Sequence, residues 1–350
     1  MTAPAIGPTR LNVWWLGGAM AVLAAAALVG ILVGPADLSV AEVGRSLIDR
    51  LPMVDVETGL SPQQEVILWE LRMPRVVLGA LVGSMLAVAG GAYQGSFRNP
   101  LADPYLLGVA AGAGLGATLA IAYGPDSTGW GIDPIPLAAF VGGLVGVVLA
   151  YLLGYSLRAG RTAVTLILAG VAVAAFLTAV QTYVQQRESD TLRGVYAWIL
   201  GRLATVGWHE VVVIIPYVAL CSIVIVIGRR MLDVLSVGDD EAAALGISPS
   251  RVRLVVILAA TLGTAAAVAV SGLIAFVGII VPHTVRLLVG TSYRLVVPLS
   301  LILGGAFLIL ADVLARTVVA PAELPIGVVT AFFGAPFFAV VLKTSRGVAA

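Results

Sequence analysis

The sequence predicts an all-α polytopic membrane protein with about ten transmembrane helices. The 350 residues are 60% hydrophobic and only 11% charged, with a mean hydropathy of +1.05, whereas soluble chains carry roughly 25% charged residues. Forty glycines fit closely packed spans, because small side chains let helix backbones approach. Apolar runs long enough to cross a bilayer, which takes about 20 residues, recur along the chain. We therefore treat residues 1–350 as one transmembrane domain.

Each element follows from an apolar run. The ten predicted helices are Val13 to Val33, Val76 to Tyr93, Tyr105 to Tyr123, Pro136 to Leu157, Ala163 to Val184, Val211 to Ile227, Leu254 to Ser271, Phe276 to Val289, Val296 to Val319 and Ile326 to Leu342. The eighth is short and contains Pro282, which indicates a kinked or half-depth helix. Two long outer loops, about 34–75 and 185–210, have room only for short surface helices.

Basic residues indicate the orientation, since Lys and Arg favour cytoplasmic loops. An even number of spans puts both termini on one side of the membrane. Placing the termini in the cytoplasm puts twelve of the 20 Lys and Arg residues inside, where they lie close to short loops. We therefore expect a multi-pass protein with both termini cytoplasmic.

Composition and motifs argue against several function classes. A net charge of +1 gives no indication of nucleic-acid binding, and two histidines with one cysteine argue against a zinc site built from protein ligands. The glycine-rich run 112–117 lies inside an apolar helix, so helix packing explains it better than a dinucleotide fingerprint. Lys343 lacks the preceding glycine of a phosphate-binding P-loop. We predict no catalytic residue, no metal and no cofactor in this chain.

Asp312 is the one acid predicted inside a span, which makes it a functional candidate. Arg316 follows one helical turn later on the same face and can neutralise it. We interpret the two residues as a structural intramembrane pair. An ion-coupled secondary transporter is the less favoured alternative, because such carriers more often hold several acids in their spans.

The inner loop, about 229–253, contains a predicted short helix. It is Asp239-Asp240-Glu241-Ala242-Ala243-Ala244-Leu245-Gly246. Its three acids occupy the first turn, where the helix dipole favours them, and its glycine can supply a left-handed stop. Ser248 and Pro249 then fit the cap and first position of the next helix. Such a helix is shaped to enter a groove on a cytoplasmic partner, although a solvated connector explains the composition equally well.

A series of motifs follows in order along the chain. They are LRMPR at 71–75, QGSFRNPLA at 94–102, LG at 107–108, ALG at 244–246, GLIAFVG at 272–278, PHTVR at 282–286, AD at 311–312 with Arg316, LPIGVVT at 324–330 and GAPF at 334–337. Together they resemble the permease family of iron-siderophore, vitamin B12 and haem ABC importers, over nearly the whole chain after the first helix.

The resemblance implies a type II importer permease that dimerises, with a second copy or a homologue, around a central path in the bacterial cytoplasmic (inner) membrane. Two cytoplasmic ATP-binding subunits, which use ATP and Mg, and an extracytoplasmic substrate-binding protein would complete the importer. The permease would then work by alternating access, and its 239–246 helix would be the ATPase-coupling element.

The resemblance also assigns residues to the path, the gate and the docking surface. The fifth helix would line the path with Thr165, Thr178, Gln181 and Thr182. The cytoplasmic gate would include Asn99, Leu101 and Thr162. The arginines that meet acidic residues of the binding protein would be Arg72, Arg75 and Arg316. Ferric siderophore is the first choice of substrate, a corrinoid the second and haem the third.

Overall fold

The computed structural model describes residues 11–34, 36–52, 54–125, 133–156, 163–203 and 207–346, and every regular element in these ranges is helical. The principal helices are α1 (Val13–Leu32), α2 (Met73–Phe97), α3 (Val109–Tyr123), α4 (Pro134–Ser156), α5 (Ala163–Arg187), α6 (His209–Val237), α7 (Pro249–Ser271), α8 (Val277–Val289), α9 (Tyr293–Thr317) and α10 (Ile326–Arg346). All ten predicted helices are confirmed. Within the described ranges, seven spans are long and apolar enough to cross a membrane, and three apolar helices are shorter.

The helix that contains α2 is the longest and most buried span. It begins well before α2 itself, with the short helix Pro62–Val66 and a π-helical stretch, Ile67–Arg72. The apolar helix therefore runs for 36 residues, Pro62–Phe97. The sequence predicted it only from Val76, because charged residues interrupt the apolar run before that point. The π-helical stretch widens the helix and ends at Arg72, whose side chain is buried.

Glycines let the central helices touch backbone to backbone. A methyl group built on Gly90 of α2 would lie 2.0 Å from the carbonyl oxygen of Gly278 in α8. One built on Gly112 of α3 would lie 2.1 Å from the carbonyl oxygen of Gly142 in α4. No side chain fits at such distances, so these contacts depend on glycine. The interpretation of the 112–117 run as a packing surface is confirmed.

Two stretches outside the principal helices, 98–108 with its 3-10 turn Pro104–Leu107 and 272–276, enter the bundle where α3 and α8 begin. These helices have only 15 and 13 residues, and at about 1.5 Å per residue they are shorter than the hydrocarbon core of a bilayer. The stretches meet at Tyr105, whose hydroxyl donates to the Ile274 carbonyl (3.0 Å) and accepts from the Ile274 N–H (3.2 Å). Polar backbone inside the bundle is thus paired within the protein, as a membrane requires. The predicted short eighth helix is confirmed.

The bundle has two ends, which we distinguish by their loops. The upper end carries the two long loops, and these contain the short helices Val40–Asp49 and Leu192–Ile199. The lower end carries the 238–248 loop between α6 and α7, together with the end of α2. The short helices predicted in the long loops are therefore present, and the candidate residues divide between the two ends.

Candidate functional site

The loop between α6 and α7 holds one short helix, Asp239–Ala244, which we call the loop helix. It ends in a Schellman motif. The N–H of Gly246 donates to the Ala243 carbonyl (2.9 Å), and the N–H of Ile247 donates to the Ala242 carbonyl (3.1 Å). Gly246 has φ of +78°, so the predicted left-handed stop is confirmed. These two bonds give the end of the loop helix a defined shape.

The loop helix is anchored on one side and open on the other. Ala242 is fully buried in the main core cluster. Ala243 and Ala244 are exposed, and the side chain of Leu245 is 71% exposed. Ser248 occupies the predicted N-cap of α7, although its side chain makes no capping bond. The tip of the loop helix is therefore an apolar surface that faces away from the bundle.

Asp239, the first residue of the loop helix, is tied to two neighbouring segments. The Nη2 of Arg253 in α7 donates to its Oδ1 (2.9 Å), and the guanidinium of Arg98 lies 3.6 Å from the same oxygen. The hydrogen bond from Arg253 lowers the pKa of the Asp239 carboxyl, and the charges of both arginines add to that effect. Asp240 and Glu241 are exposed instead. The three predicted coupling acids thus divide into one that holds the loop helix and two that face outward.

The predicted gate segment lies directly after α2. Arg98 ends the helix in the left-handed conformation, with φ of +51°. The Oδ1 of Asn99 then accepts the N–H of Leu101 (3.0 Å), which closes the turn. Asn99 and Leu101 are both half-buried. Thr162, the third predicted gate residue, lies outside the described residues.

A glutamine that was not predicted as a site residue holds this segment to α8. Gln94 is fully buried near the end of α2. Its Nε2 donates to the carbonyls of Gly278 (2.8 Å) and Ala102 (3.3 Å), and its Oε1 accepts a hydrogen bond from Arg286. The motifs QGSFRNPLA and PHTVR contain both partners, although they lie 192 positions apart. The sequence did contain a signal for this contact, because both motifs place polar residues on apolar helices at the same end of the bundle.

Helix α5 presents only part of its predicted polar set on an open surface. Thr178 and Thr182 are exposed, and the Thr182 hydroxyl donates to the Thr178 carbonyl (2.9 Å). Thr165 and Gln181 are buried. A methyl group built on Gly114 of α3 would lie 2.9 Å from the Gln181 amide oxygen, so this amide packs between helices. The structure leaves Thr178 and Thr182 as the path candidates, because neighbouring helices cover the other two side chains.

Arg72 and Arg316 cap the first span at the upper end. The last carbonyls of a helix have no partner within it, and positive charge is favourable there. Arg72 donates to the carbonyls of Ile31 (2.7 Å) and Leu32 (3.0 Å), and Arg316 donates to the carbonyl of Gly30. The two arginines are only 4% and 5% exposed. The free carbonyls of α1 thus hold both guanidinium groups inside the protein, at the end where the docking surface was predicted.

Arg75 joins three segments at the upper end. Its Nη2 lies 2.8 Å from Oδ1 of the buried Asp312, and its Nε donates to the same carboxylate (3.0 Å). It also donates to Glu323 (2.9 and 3.0 Å), whose side chain is 49% exposed. The hydrogen bond from Arg75 lowers the pKa of Glu323. The predicted pair of Asp312 with Arg316 is present at 3.5 Å, but Arg75 is the closer partner.

The described residues thus form an apolar bundle of ten principal helices, with backbone that enters the bundle and an exposed helix between two spans. The chain matches the model of the FecCD transport family over residues 22–344 and belongs to that family. It is therefore a permease of ABC importers for metal chelates, and ATP hydrolysis in these importers takes place in a separate subunit.

Two curated relatives and one solved structure illustrate the similarity. The chain is 40% identical over 289 residues to the cobalamin import permease BtuC of Halobacterium salinarum, covering 82% of this chain and 76% of that one. It is 37% identical over 327 residues to the iron(3+)-hydroxamate import permease FhuB of Bacillus subtilis, covering 93% and 82%. An inward-facing metal-chelate type ABC transporter superposes with a TM-score of 0.82 and 29% identity, over 95% of this chain and 100% of that one.

Proposed function

We propose that this chain, paired with a second copy or a homologue, forms the membrane path of an ATP-driven importer for ferric siderophores. Two ATP-binding subunits dock at the lower end, which faces the bacterial cytoplasm together with both termini. A substrate-binding protein docks at the upper end. The observation that carries the proposal is the loop helix, which is held by buried Ala242 and paired Asp239 and ends in an exposed apolar tip.

The proposed mechanism is alternating access between two packings of the dimer. The permease supplies the two packings, and the ATPase subunits shift the balance between them through the loop helix. Thr178 and Thr182 on the exposed face of α5 line the path. Small hydroxyl and methyl groups hold a large polar chelate weakly, which allows its release on the other side.

Ferric siderophore is the proposed substrate class, and a corrinoid is the second candidate because the relative at 40% identity is named a cobalamin permease. The test uses the reconstituted permease as bait to isolate its cognate binding protein. That binding protein is then titrated with ferric hydroxamate, ferric citrate, cobalamin and haem. Tightest binding of a ferric siderophore supports the proposal. Tightest binding of cobalamin or haem replaces it with that candidate, and binding of none contradicts a chelate importer.

Among the three arginines assigned to docking, Arg75 is the one that we retain for direct contact. Its outer nitrogens already hold the exposed Glu323, whereas Arg72 and Arg316 are buried. An acidic side chain of the binding protein would therefore compete with Glu323 for the Arg75 guanidinium. Glu323 acts in this arrangement as an internal substitute for the partner's acid.

We expect Glu323→Gln to speed association of the binding protein by roughly threefold at low salt, with a smaller gain at high salt, because rim charges act mainly on encounter rates. Surface-plasmon measurements with the permease in nanodiscs would give the rates. Asp190→Asn is the matched control, since Asp190 is an exposed acid at the upper end outside the Arg75 cluster. An equal change in both variants would contradict a specific role for Arg75.

A further inference from the structure

The end of α2 leaves several backbone carbonyls without their usual helical partners, and one of them is the carbonyl of Ser96. The carbonyl of Ser96 would accept from the residue four positions on, which is Pro100 and has no N–H. The N–H of Asn99, three positions after Ser96, could otherwise bond the Ser96 carbonyl, but it donates to the Gln94 carbonyl. The Ser96 carbonyl is therefore available at the base of the gate segment.

Arg253 of α7 fills this position from the neighbouring helix. Its Nε donates to the Ser96 carbonyl (2.8 Å), while its Nη2 donates to the Asp239 carboxylate (2.9 Å). The side chain of Arg253 is 16% exposed and that of Asp239 is 43% exposed, whereas Ser96 is fully buried, so the bond to Ser96 is the better shielded of the two. A single planar guanidinium thus bonds the first residue of the loop helix on one edge and the base of the gate segment on the other.

Only arginine can make both contacts with one rigid group. Its five N–H donors lie in a fixed fork, whereas the lysine ammonium is a point charge on a flexible stem. A displacement of Asp239 therefore changes the direction in which the Arg253 Nε points. The Ser96 carbonyl must then follow or lose its hydrogen bond, and Asn99 and Leu101 lie only three and five residues further on.

We propose that Arg253 is a positioning residue that transmits movement of the loop helix to the gate segment 98–102. The proposal rests on the proposed function, because it assumes that an ATPase subunit moves the loop helix. It adds the mechanical connection between that movement and the opening of the path. Arg253 acts through Ser96 and does not contact substrate.

The test uses the complete importer in lipid vesicles, with Arg253→Gln, Arg253→Lys and the control Arg251→Gln. Arg251 lies two positions earlier on α7 and is exposed. One readout is substrate transported per ATP hydrolysed. Another is the labelling rate of a cysteine introduced as Leu101→Cys in a Cys221→Ala background, with and without a non-hydrolysable ATP analogue. Retention of the ATPase subunits is measured for every variant.

Arg253→Gln should retain the ATPase subunits but lower transport per ATP by about tenfold, as expected for loss of charge-assisted bonds, and it should abolish the nucleotide-dependent change in labelling. Arg251→Gln should match wild type. Asp239→Asn should lower transport per ATP at least as much, because it also removes the pairing with Arg98 (3.6 Å), and adding Arg253→Gln to it should not deepen its loss, because Arg253 acts through Asp239. If Arg253→Gln fails to insert, Arg253→Lys carries the same test, since an ammonium on a flexible stem cannot hold Ser96 and Asp239 in one fixed geometry.

Two results would overturn the proposal. In one, Arg253→Gln keeps the wild-type labelling change and transport ratio. In the other, it releases the ATPase subunits, so that Arg253 serves only to hold the docking surface. Failure of the proposed function is distinguishable, because the Leu101→Cys chain with Arg253 intact would then show no nucleotide-dependent labelling.

Discussion

Gly246→Pro is expected to lower ATP-driven transport roughly tenfold or more while the permease still inserts, because proline cannot adopt the left-handed backbone that this position requires, and backbone strain costs about 1–3 kcal/mol per residue. Gly246 has φ of +78°, whereas proline fixes φ near −65°. The substitution also removes the N–H that donates to Ala243 (2.9 Å). The Schellman turn would open, and the exposed tip at Leu245 would lose its shape. Binding-protein-stimulated ATP hydrolysis with the partner subunits measures the loss.

A matched control separates coupling from backbone strain in general. Gly59 has φ of +76° in an exposed loop at the upper end, so Gly59→Pro imposes a similar conflict far from the loop helix. We expect Gly59→Pro to leave retention of the ATPase subunits unchanged. Glu241→Arg, which reverses an exposed charge on the loop helix without touching its turn, should lower coupling as Gly246→Pro does. Full stimulated hydrolysis in both loop-helix variants would show that the loop helix is not the coupling element.

Asp312→Asn is expected to destabilise the permease by about 3 kcal/mol, because breaking a buried ion pair leaves an uncompensated charge. Asp312 is buried and accepts the bidentate pair from Arg75 (2.8 and 3.0 Å), with Arg316 at 3.5 Å. The neutral amide would leave two guanidinium groups close together without a buried anion. Denaturant unfolding in mild detergent, followed by tryptophan fluorescence, measures the change.

Glu323→Gln is the control for Asp312→Asn. It removes the exposed partner of the same Arg75 and should cost at most about 1 kcal/mol, as solvent-exposed pairs do. Equal losses in the two variants would mean that burial of Asp312 does not determine the energy of the cluster. A loss confined to Asp312→Asn would establish Arg75 and Asp312 as a structural clamp between α2 and α9.

The fold was predictable to the extent that bilayer thickness dictates helix length. Every apolar run of the sequence corresponds to a helix, and the short eighth run with Pro282 is a short helix of 13 residues. The start of the second span was not predictable from hydropathy. Arg72 and Arg75 interrupt the apolar run, yet both lie within a continuous helix because their partners are other parts of the same chain.

The candidate site was predictable where the determining interactions are local. The stop at Gly246 depends on one glycine and its helix, so the sequence alone indicated it. The bonds from Arg75 to Asp312 and from Arg286 to Gln94 join positions 237 and 192 residues apart. Sequence spacing identifies only neighbours on the same helix, such as Arg316 as the neighbour of Asp312. For the same reason, nothing local shows that the free carbonyls of α1 hold Arg72.

The central claim is that ATP hydrolysis in partner subunits drives this permease, and uptake by sealed vesicles tests it most directly. The chain is reconstituted with its ATPase and binding protein, and labelled ferric siderophore is supplied outside while ATP is held high inside. We expect uptake to require hydrolysable ATP and to continue at an unchanged rate after ionophores dissipate the proton and sodium gradients. Uptake that collapses with the gradients while ATP stays high would contradict this account and would make Asp312 an ion-coupling acid.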